Sequence, residues 1–165
     1  MRFTLRGHAD SPYPVPSRHD GSVPAVREIL IGRRTGDHLI LAVRGRLFPD
    51  GDDPQWLWTS LSLRIGGFTG QLEGGVRADE LRRFRSGVEG LYDGSETIAT
   101  LATEDGWLSA ELTSPEADAL AVELRARDEA TPPNELRGAM DELSLESLVT
   151  VIETLVDVER AYPVG

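Results

Sequence analysis

Residues 56–65 read Trp-Leu-Trp-Thr-Ser-Leu-Ser-Leu-Arg-Ile and carry the clearest strand pattern in the chain. Its residues alternate between two sets, with the two-residue period of a strand that buries one face. The face expected to be buried carries Leu57, Thr59, Leu61, Leu63 and Ile65. The opposite face carries Trp56, Trp58, Ser60, Ser62 and Arg64. The alternation therefore predicts a sheet that packs its core on one side.

Neighbouring segments extend this sheet. Residues 26–31 and 39–44 are rich in aliphatic residues and predict two strands before it. After it, Gly66-Gly67 is expected to break or bulge the strand, and residues 68–72 to continue it around a bend. Gly74-Gly75 is expected to end this part of the sheet.

Two helices and a second group of strands follow. A helix is predicted from Arg77 to Leu91, with an apolar stripe at helical spacing. A second helix is predicted from an N-cap at Ser144 to Tyr162, where Pro163 stops it. The strands predicted between the two helices are residues 97–103, 107–112, 119–127 and 136–143.

The order of these elements predicts an α+β fold, in which two amphipathic helices pack on a curved antiparallel sheet. Residues 25–165 are expected to form one domain without an internal repeat. Residues 1–24 are expected to form a proline-rich arm, with a short edge strand at residues 3–5.

Composition narrows the classes of function. The chain has 165 residues, 17 of them arginine, no lysine, 28 Asp or Glu and no cysteine, for a net charge of −11. The lack of cysteine excludes a disulfide framework, a thiolate zinc site and a cysteine nucleophile. The acidic balance disfavours nucleic-acid binding and suits a basic partner. No apolar run is long enough to span a membrane, and the first eight residues do not resemble a signal peptide, so we expect a cytoplasmic protein.

Motifs for metal, cofactor or catalytic chemistry are not found in the sequence. His8, His19 and His38 do not have the spacing of metal ligands. Phosphate-loop and nucleophile-elbow patterns are missing. The loop at Asp50-Gly51-Asp52-Asp53 offers hard oxygen ligands for calcium but is more typical of a solvated turn. We therefore expect no cofactor, no metal and no catalytic residue.

Two groups of side chains could still carry a function. Glu159 falls within the apolar stripe of the second helix, where it could be a general acid; pairing with an arginine is the favoured alternative. Trp56, Trp58 and Arg64 lie on the strand face opposite the core, and residues of these types are frequent at interfaces. The alternative for that face is that a helix covers it.

The order of motifs resembles the WapI-like immunity family of small bacterial cytoplasmic proteins over about residues 25–165. The segments that carry the resemblance are Trp58–Leu63, Gly67–Gly70, Ala78–Phe84, Trp107-Leu108, Leu120–Leu124, Asp141, Leu148–Leu155 and Tyr162–Val164. The resemblance implies a stoichiometric inhibitor that binds a toxin domain, often a nuclease, inside the producing cell. It brings no catalytic set with it.

The sequence thus predicts a non-enzymatic protein that neutralises a basic toxin domain by direct binding. The residues predicted to contact that partner are Asp50, Asp52, Asp53, Trp56, Trp58 and Glu153. Two alternatives stay open at this point. One is a homo-oligomeric or accessory interaction module, and the other is a small hydrolase that uses Glu159 with an unidentified base. The oligomeric state is left open.

Overall fold

A computed structural model describes residues 4–6 and 25–164 of the chain. The rest of the predicted arm lies outside the described residues, but the short strand expected near its start is present at Thr4–Arg6. The first sheet has five strands in the order β1-β5-β4-β3-β2. Their bounds are β1 Thr4–Arg6, β2 Arg27–Gly32, β3 His38–Arg46, β4 Trp56–Ile65 and β5 Phe68–Arg77. All neighbours are antiparallel except β1, which runs parallel to β5 at the edge.

The second sheet is a four-stranded antiparallel meander in the order β6-β7-β8-β9. Its strands are β6 Ile98–Ala102, β7 Leu108–Thr113, β8 Ala119–Arg127 and β9 Glu135–Ser144. Helix α1 spans Ala78–Asp93 and helix α2 spans Leu148–Ala161. The α+β class is confirmed, although the strands form two sheets where the sequence predicted a single curved one. Helix α1 separates the two meanders, so β6 pairs with β7 and never with β5.

The same order of elements, four strands followed by a helix, occurs twice along the chain. Strands β2–β5 are followed by α1, and strands β6–β9 are followed by α2. Each helix then packs against the first strand of the other half, α1 on β6 and α2 on β2, and the two helices contact each other. Each half therefore needs the helix of the other half to cover its apolar face, and buried residues of both halves form one hydrophobic core.

One of the two glycine pairs has the role predicted for it. Gly66-Gly67 breaks the strand, at the β4–β5 hairpin turn, where Gly66 has φ +56°, a conformation that favours glycine. Gly74-Gly75 does not end the sheet, since β5 continues through it to Arg77. A side chain at Gly74 would meet the ring of Trp107, and one at Gly75 would meet the ring of Trp56. Two tryptophan rings pack on β5 from its opposite faces, and the lack of side chains at Gly74 and Gly75 leaves space for them.

The two sheets meet at points where one side chain enters the space above a glycine. Trp107 lies over Gly74 and donates a hydrogen bond from Nε1 to the carbonyl oxygen of Gly75 at 2.8 Å. At the other contact, the side chain of Ile65 in β4 fills the space above Gly138 in β9. These contacts fix how the two sheets pack, because neither glycine could gain a Cβ without displacing the neighbouring side chain.

Helix α2 begins later than predicted. Strand β9 extends to Ser144, and a single 3-10 turn at Leu145–Ser147 precedes the helix, whose N-cap is Ser147. Neither serine caps the helix with its side chain; the hydroxyl of Ser147 donates instead to the carbonyl oxygen of Ser144. In residues 25–164, no helix has the length and apolar character needed to cross a membrane.

Candidate functional site

The tryptophan-bearing face of β4 is the outer face of the first sheet. Burial alternates along β4 as the sequence predicted, with Leu57, Thr59 and Leu61 buried while Trp56 and Trp58 stay half-buried. The apolar stripes of both helices belong to the same core as the inner face of the sheet. Neither described helix therefore covers the outer face, where both tryptophans are partly exposed.

Arg77, the last residue of β5, is the centre of a charged cluster at one end of this face. Its guanidinium lies 2.6 Å from Asp53, 3.1 Å from Asp79 and 3.6 Å from Glu104. The same guanidinium lies over the ring of Trp56, 5.5 Å from its centroid. We call these five residues the Arg77 cluster. It joins the β3–β4 loop, the start of α1 and the β6–β7 turn, which are far apart in the sequence.

The cluster is acidic, because one arginine faces three carboxylates. The hydrogen bond from Arg77, together with one from the backbone N–H of Gln55, holds the pKa of Asp53 below its ordinary value. The same hydrogen bond to Asp53 raises the pKa of Arg77, so both groups are charged at neutral pH. Asp50 and Asp52 precede the cluster on the same loop and are exposed. A basic surface could therefore approach these carboxylates directly.

Five of the six residues predicted to contact a partner lie in one region. Asp50, Asp52 and Asp53 lie on the loop that leads into β4, and Trp56 and Trp58 lie at the start of that strand. Glu153 does not join them. It is exposed on α2, which covers the inner side of the first sheet. The candidate site is therefore centred on the loop before β4 and on the outward-facing side chains at the start of β4.

A groove of about 390 Å³ crosses the outer face, lined by residues of β3, β4 and β5 that include Arg44, Ser60 and Glu73. Arg44 lines it, with its guanidinium 5.8 Å from the centroid of the Trp58 ring and its Nε donating to Ser60 Oγ at 2.9 Å. A β-bulge between Val43 and Gly45 accompanies this position of Arg44. Trp58 Nε1 is buried and has no hydrogen-bond partner among the described residues. The arginine that lines the groove thus lies beside the ring of Trp58.

Glu80 is a buried carboxylate in the first turn of α1. It is 6% exposed and accepts hydrogen bonds from the backbone N–H groups of Arg77, at 2.9 Å, and Glu104, at 2.7 Å. Burial raises the pKa of Glu80 above its ordinary value, although both hydrogen bonds act against that shift. These two hydrogen bonds hold the backbone of Arg77 and Glu104, which are both members of the Arg77 cluster.

Glu159 pairs with an arginine, as the favoured alternative predicted. Its Oε1 accepts a hydrogen bond from Arg85 Nε at 2.8 Å, and the same guanidinium also binds Glu89. This contact joins α2 to α1. It engages the same carboxylate that the hydrolase alternative requires as its general acid. Glu159 is therefore a structural residue at the helix–helix contact.

The described part of the chain contains no candidate metal site. His8 and His19 lie outside the described residues, and the Nδ1 atom of His38 is 2.9 Å from the carbonyl oxygen of Gly36. In the loop that was considered for calcium and interpreted as a solvated turn, Asp53 is ion-paired with Arg77. In residues 4–6 and 25–164, no three His, Asp or Glu side chains are grouped so that they could hold a metal ion.

Sequence reasoning missed Arg77, Asp79 and Glu104 as members of the site. Arg77 and Asp79 were assigned to the start of the first helix, and Glu104 to a turn. Their local patterns account for those positions fully, so no sequence signal marked them as neighbours of Asp53. Gly75, two residues before Arg77, is where the ring of Trp56 approaches β5, but a glycine by itself does not indicate which side chain occupies the space above it.

Comparisons with known proteins identify the family. A family model described as the immunity protein WapI-like family matches residues 29–163. No curated protein sequence matches this chain significantly. Among solved structures, a chain from crystal structures of Trypanosoma bruciei MRP1/MRP2 is similar with a TM-score of 0.47 and 10% identity, over 88% of this chain and 89% of that one. Because the family model covers most of the sequence, this protein belongs to the WapI-like immunity protein family.

Proposed function

We propose that this protein neutralises a cognate toxin by binding it, without catalysing a reaction. The observation that carries the proposal is the family match over residues 29–163. The net charge of −11 supports a basic toxin domain as the partner, since opposite charges accelerate association and favour the correct encounter. A nuclease domain, which must itself attract phosphate, would present such a basic surface.

The proposed contact surface is the Arg77 cluster with the loop before it. Asp50 and Asp52 are exposed and supply charge for a basic partner. Trp56 supplies a large apolar ring, which is partly accessible and held in place by Arg77 and the glycine beneath it. Flat aromatic residues surrounded by charge are typical of the residues that dominate binding energy at interfaces.

The first experiment is a pull-down of the tagged full-length protein from its native host under conditions that induce toxin production. Mass spectrometry would identify proteins recovered in near-stoichiometric yield. Recovery of a toxin-bearing protein or its released toxin domain, whose activity the purified chain then inhibits, supports the proposal. Recovery of the chain alone, as an oligomer of defined size, would contradict it and favour the homo-oligomeric module.

Paired variants then test the contact surface. The double variant Asp50→Lys with Asp52→Lys reverses charge on the exposed loop, and we expect about tenfold or greater loss of toxin affinity. The matched control is Glu111→Lys with Glu123→Lys, which makes the same charge change on the exposed face of the second sheet. Equal losses in both double variants would show that only net charge matters. Glu153→Lys tests separately whether α2 also contacts the toxin.

A further inference from the structure

Strand β6 is an edge of the second sheet, and within residues 4–6 and 25–164 no hydrogen bond engages its outward backbone groups. Its antiparallel register with β7 pairs Leu101 with Ala110, and the backbone N–H of Thr103 donates to Leu108 at 3.0 Å. Since hydrogen-bonded pairs alternate in such a ladder, the N–H and C=O groups of the residues in between point away from β7. Those residues are Ile98, Thr100 and Ala102, and all three are exposed.

The other edges with described side chains are protected by charge. On β2, the register with β3 directs outward the backbone of Glu28, Leu30 and Gly32, and Glu28 is ion-paired with Arg34. On β9, the register with β8 directs outward the backbone of Glu135, Arg137 and Ala139. Charged residues on an edge strand oppose pairing with another chain. Residues 97–103, by contrast, contain neither a charge nor a proline.

Apolar side chains accompany this unprotected edge. Ile98 is 41% exposed at the start of β6, and Tyr92 is 44% exposed at the end of the helix that packs against the strand. These are two of only a few large apolar side chains exposed in residues 25–164. A strand added beside β6 would find both backbone partners and apolar surface.

Acidic residues flank the uncharged centre of the strand. Glu96 precedes β6, and Glu104 and Asp105 follow it, all three exposed. If two copies of this chain paired antiparallel about Thr100, Glu96 of one copy would lie opposite Glu104 of the other. Like charges that face each other across strands are destabilising, so the flanks oppose self-association. The same flanks attract a strand that carries basic residues at its ends.

We propose that β6 pairs with an extended segment of a partner protein, which adds a fifth strand to the second sheet. The segment has an uncharged centre and Lys or Arg at its ends. Backbone hydrogen bonds to Ile98, Thr100 and Ala102 supply affinity, and the acidic flanks select the basic ends. The identity of the partner as the toxin rests on the proposed function, whereas the chemistry of the edge does not.

One partner can contact both the edge and the Arg77 cluster. Glu104 belongs to the turn directly after β6 and also lies 3.6 Å from Arg77. The exposed edge therefore continues into the acidic surface that carries Asp53 and Trp56. A basic domain held at that surface would bring a terminal or edge strand of its own next to β6.

Peptides test the edge without any toxin. The probes are two capped heptapeptides with alternating Thr and Val at the centre, one ended by Lys on both sides and the other by Glu. Amide shifts and hydrogen exchange of the full-length chain are followed by NMR. We expect the Lys-ended peptide to shift and protect the amides of Ile98, Thr100 and Ala102, and the Glu-ended peptide to have no effect. No response, or an equal response at β2 or β9, would overturn the inference.

Proline variants test the edge with the partner recovered by pull-down. Thr100→Pro removes one outward N–H while leaving the hydrogen bonds to β7 intact, and Ala139→Pro makes the same change on the edge of β9. Thr100→Val changes the side chain and keeps the N–H. We expect about tenfold or greater loss of affinity in Thr100→Pro alone, because a partner carbonyl loses its donor and meets the ring.

The outcomes separate the two proposals. Wild-type affinity in Thr100→Pro, with its fold confirmed by circular dichroism, would overturn the edge inference whatever the peptides do, and the toxin function would stand. If no toxin is recovered at all, the proposed function fails, while the peptide experiment still decides whether β6 accepts a basic strand.

Discussion

The carboxylate of Glu80 accepts a hydrogen bond from the backbone N–H of Glu104 at 2.7 Å. Its other oxygen accepts one from the backbone N–H of Arg77 at 2.9 Å. One buried side chain thus joins the first turn of α1 to the β6–β7 turn of the second sheet. This contact aligns the two segments that supply Arg77 and Glu104 to the candidate site.

Removal of the Glu80 carboxylate should destabilise the protein. In Glu80→Ala, two backbone N–H groups lose their acceptor, and we expect a fall in the free energy of unfolding of about 2 kcal/mol. Denaturation with urea, followed by circular dichroism, measures it. Glu153→Ala is the matched control, because that glutamate is exposed on a helix. Equal stability of Glu80→Ala and wild type would contradict the role assigned to Glu80.

The raised pKa of Glu80 predicts a pH dependence of known sign. Because the folded protein holds this proton more tightly than the unfolded chain, the contribution of Glu80 to stability is fully present below its ordinary pKa of 4.5. That contribution falls as the pH rises through the raised, folded-state value. We expect the stability of wild type minus that of Glu80→Gln to be larger at pH 4 than at pH 7. An increase with pH would show that the hydrogen bonds outweigh burial.

Asp128 predicts a pH dependence of stability with the opposite sign. Burial raises its pKa, but hydrogen bonds from Asn134 and the backbone N–H of Ala130 outweigh burial, so the pKa lies below its ordinary value of 3.8. Its contribution to stability is therefore present above that value and is lost as the pH falls. The stability of wild type minus that of Asp128→Asn should decrease from pH 5 towards pH 3. A constant difference over that range would refute the expectation.

The packing of Trp107 on Gly74 predicts that this position cannot accept a side chain. A Cβ at Gly74 would lie 2.3 Å from the Trp107 ring, so Gly74→Ala must displace the ring or the strand. We expect a loss of about 1–3 kcal/mol in the free energy of unfolding. Gly67→Ala is the control, since a Cβ there meets nothing within 4 Å. Thermal denaturation that lowers both variants equally would exclude close packing as the cause.

A substitution of Glu159 distinguishes a structural role from a catalytic one. Loss of the Arg85–Glu159 contact should lower the stability of the protein, whereas in a hydrolase that used Glu159 it would abolish activity. Glu159→Gln removes the charge from a half-buried ion pair between the helices. We expect it to lower the free energy of unfolding by about 1 kcal/mol and to leave toxin binding unchanged. Asp157→Asn, in the exposed pair with Arg160, should have a smaller effect. Unchanged stability of Glu159→Gln would reopen the catalytic alternative.

Local patterns were sufficient for most of the elements. The alternation in β4 predicted its ends and its buried face correctly, and the apolar stripe of α1 predicted a helix within two residues of its true end. The prediction for Gly74-Gly75 was wrong, because a sequence shows where glycine is but not which aromatic ring occupies the space above it. Trp107 comes 32 residues after Gly75, and only the folded chain brings the two together.

The α+β class, the strand faces, the two helices and the acidic character could all be predicted from the sequence, because each depends on short-range periodicity or on composition. The tertiary structure was needed to show that the strands divide into two sheets and that each helix covers the opposite half. It also decided that Asp53, Arg77 and Glu104 form one cluster. An apolar stripe specifies that a helix must be covered but not by which surface, and the pairing of distant charges depends on register between strands that no local pattern encodes.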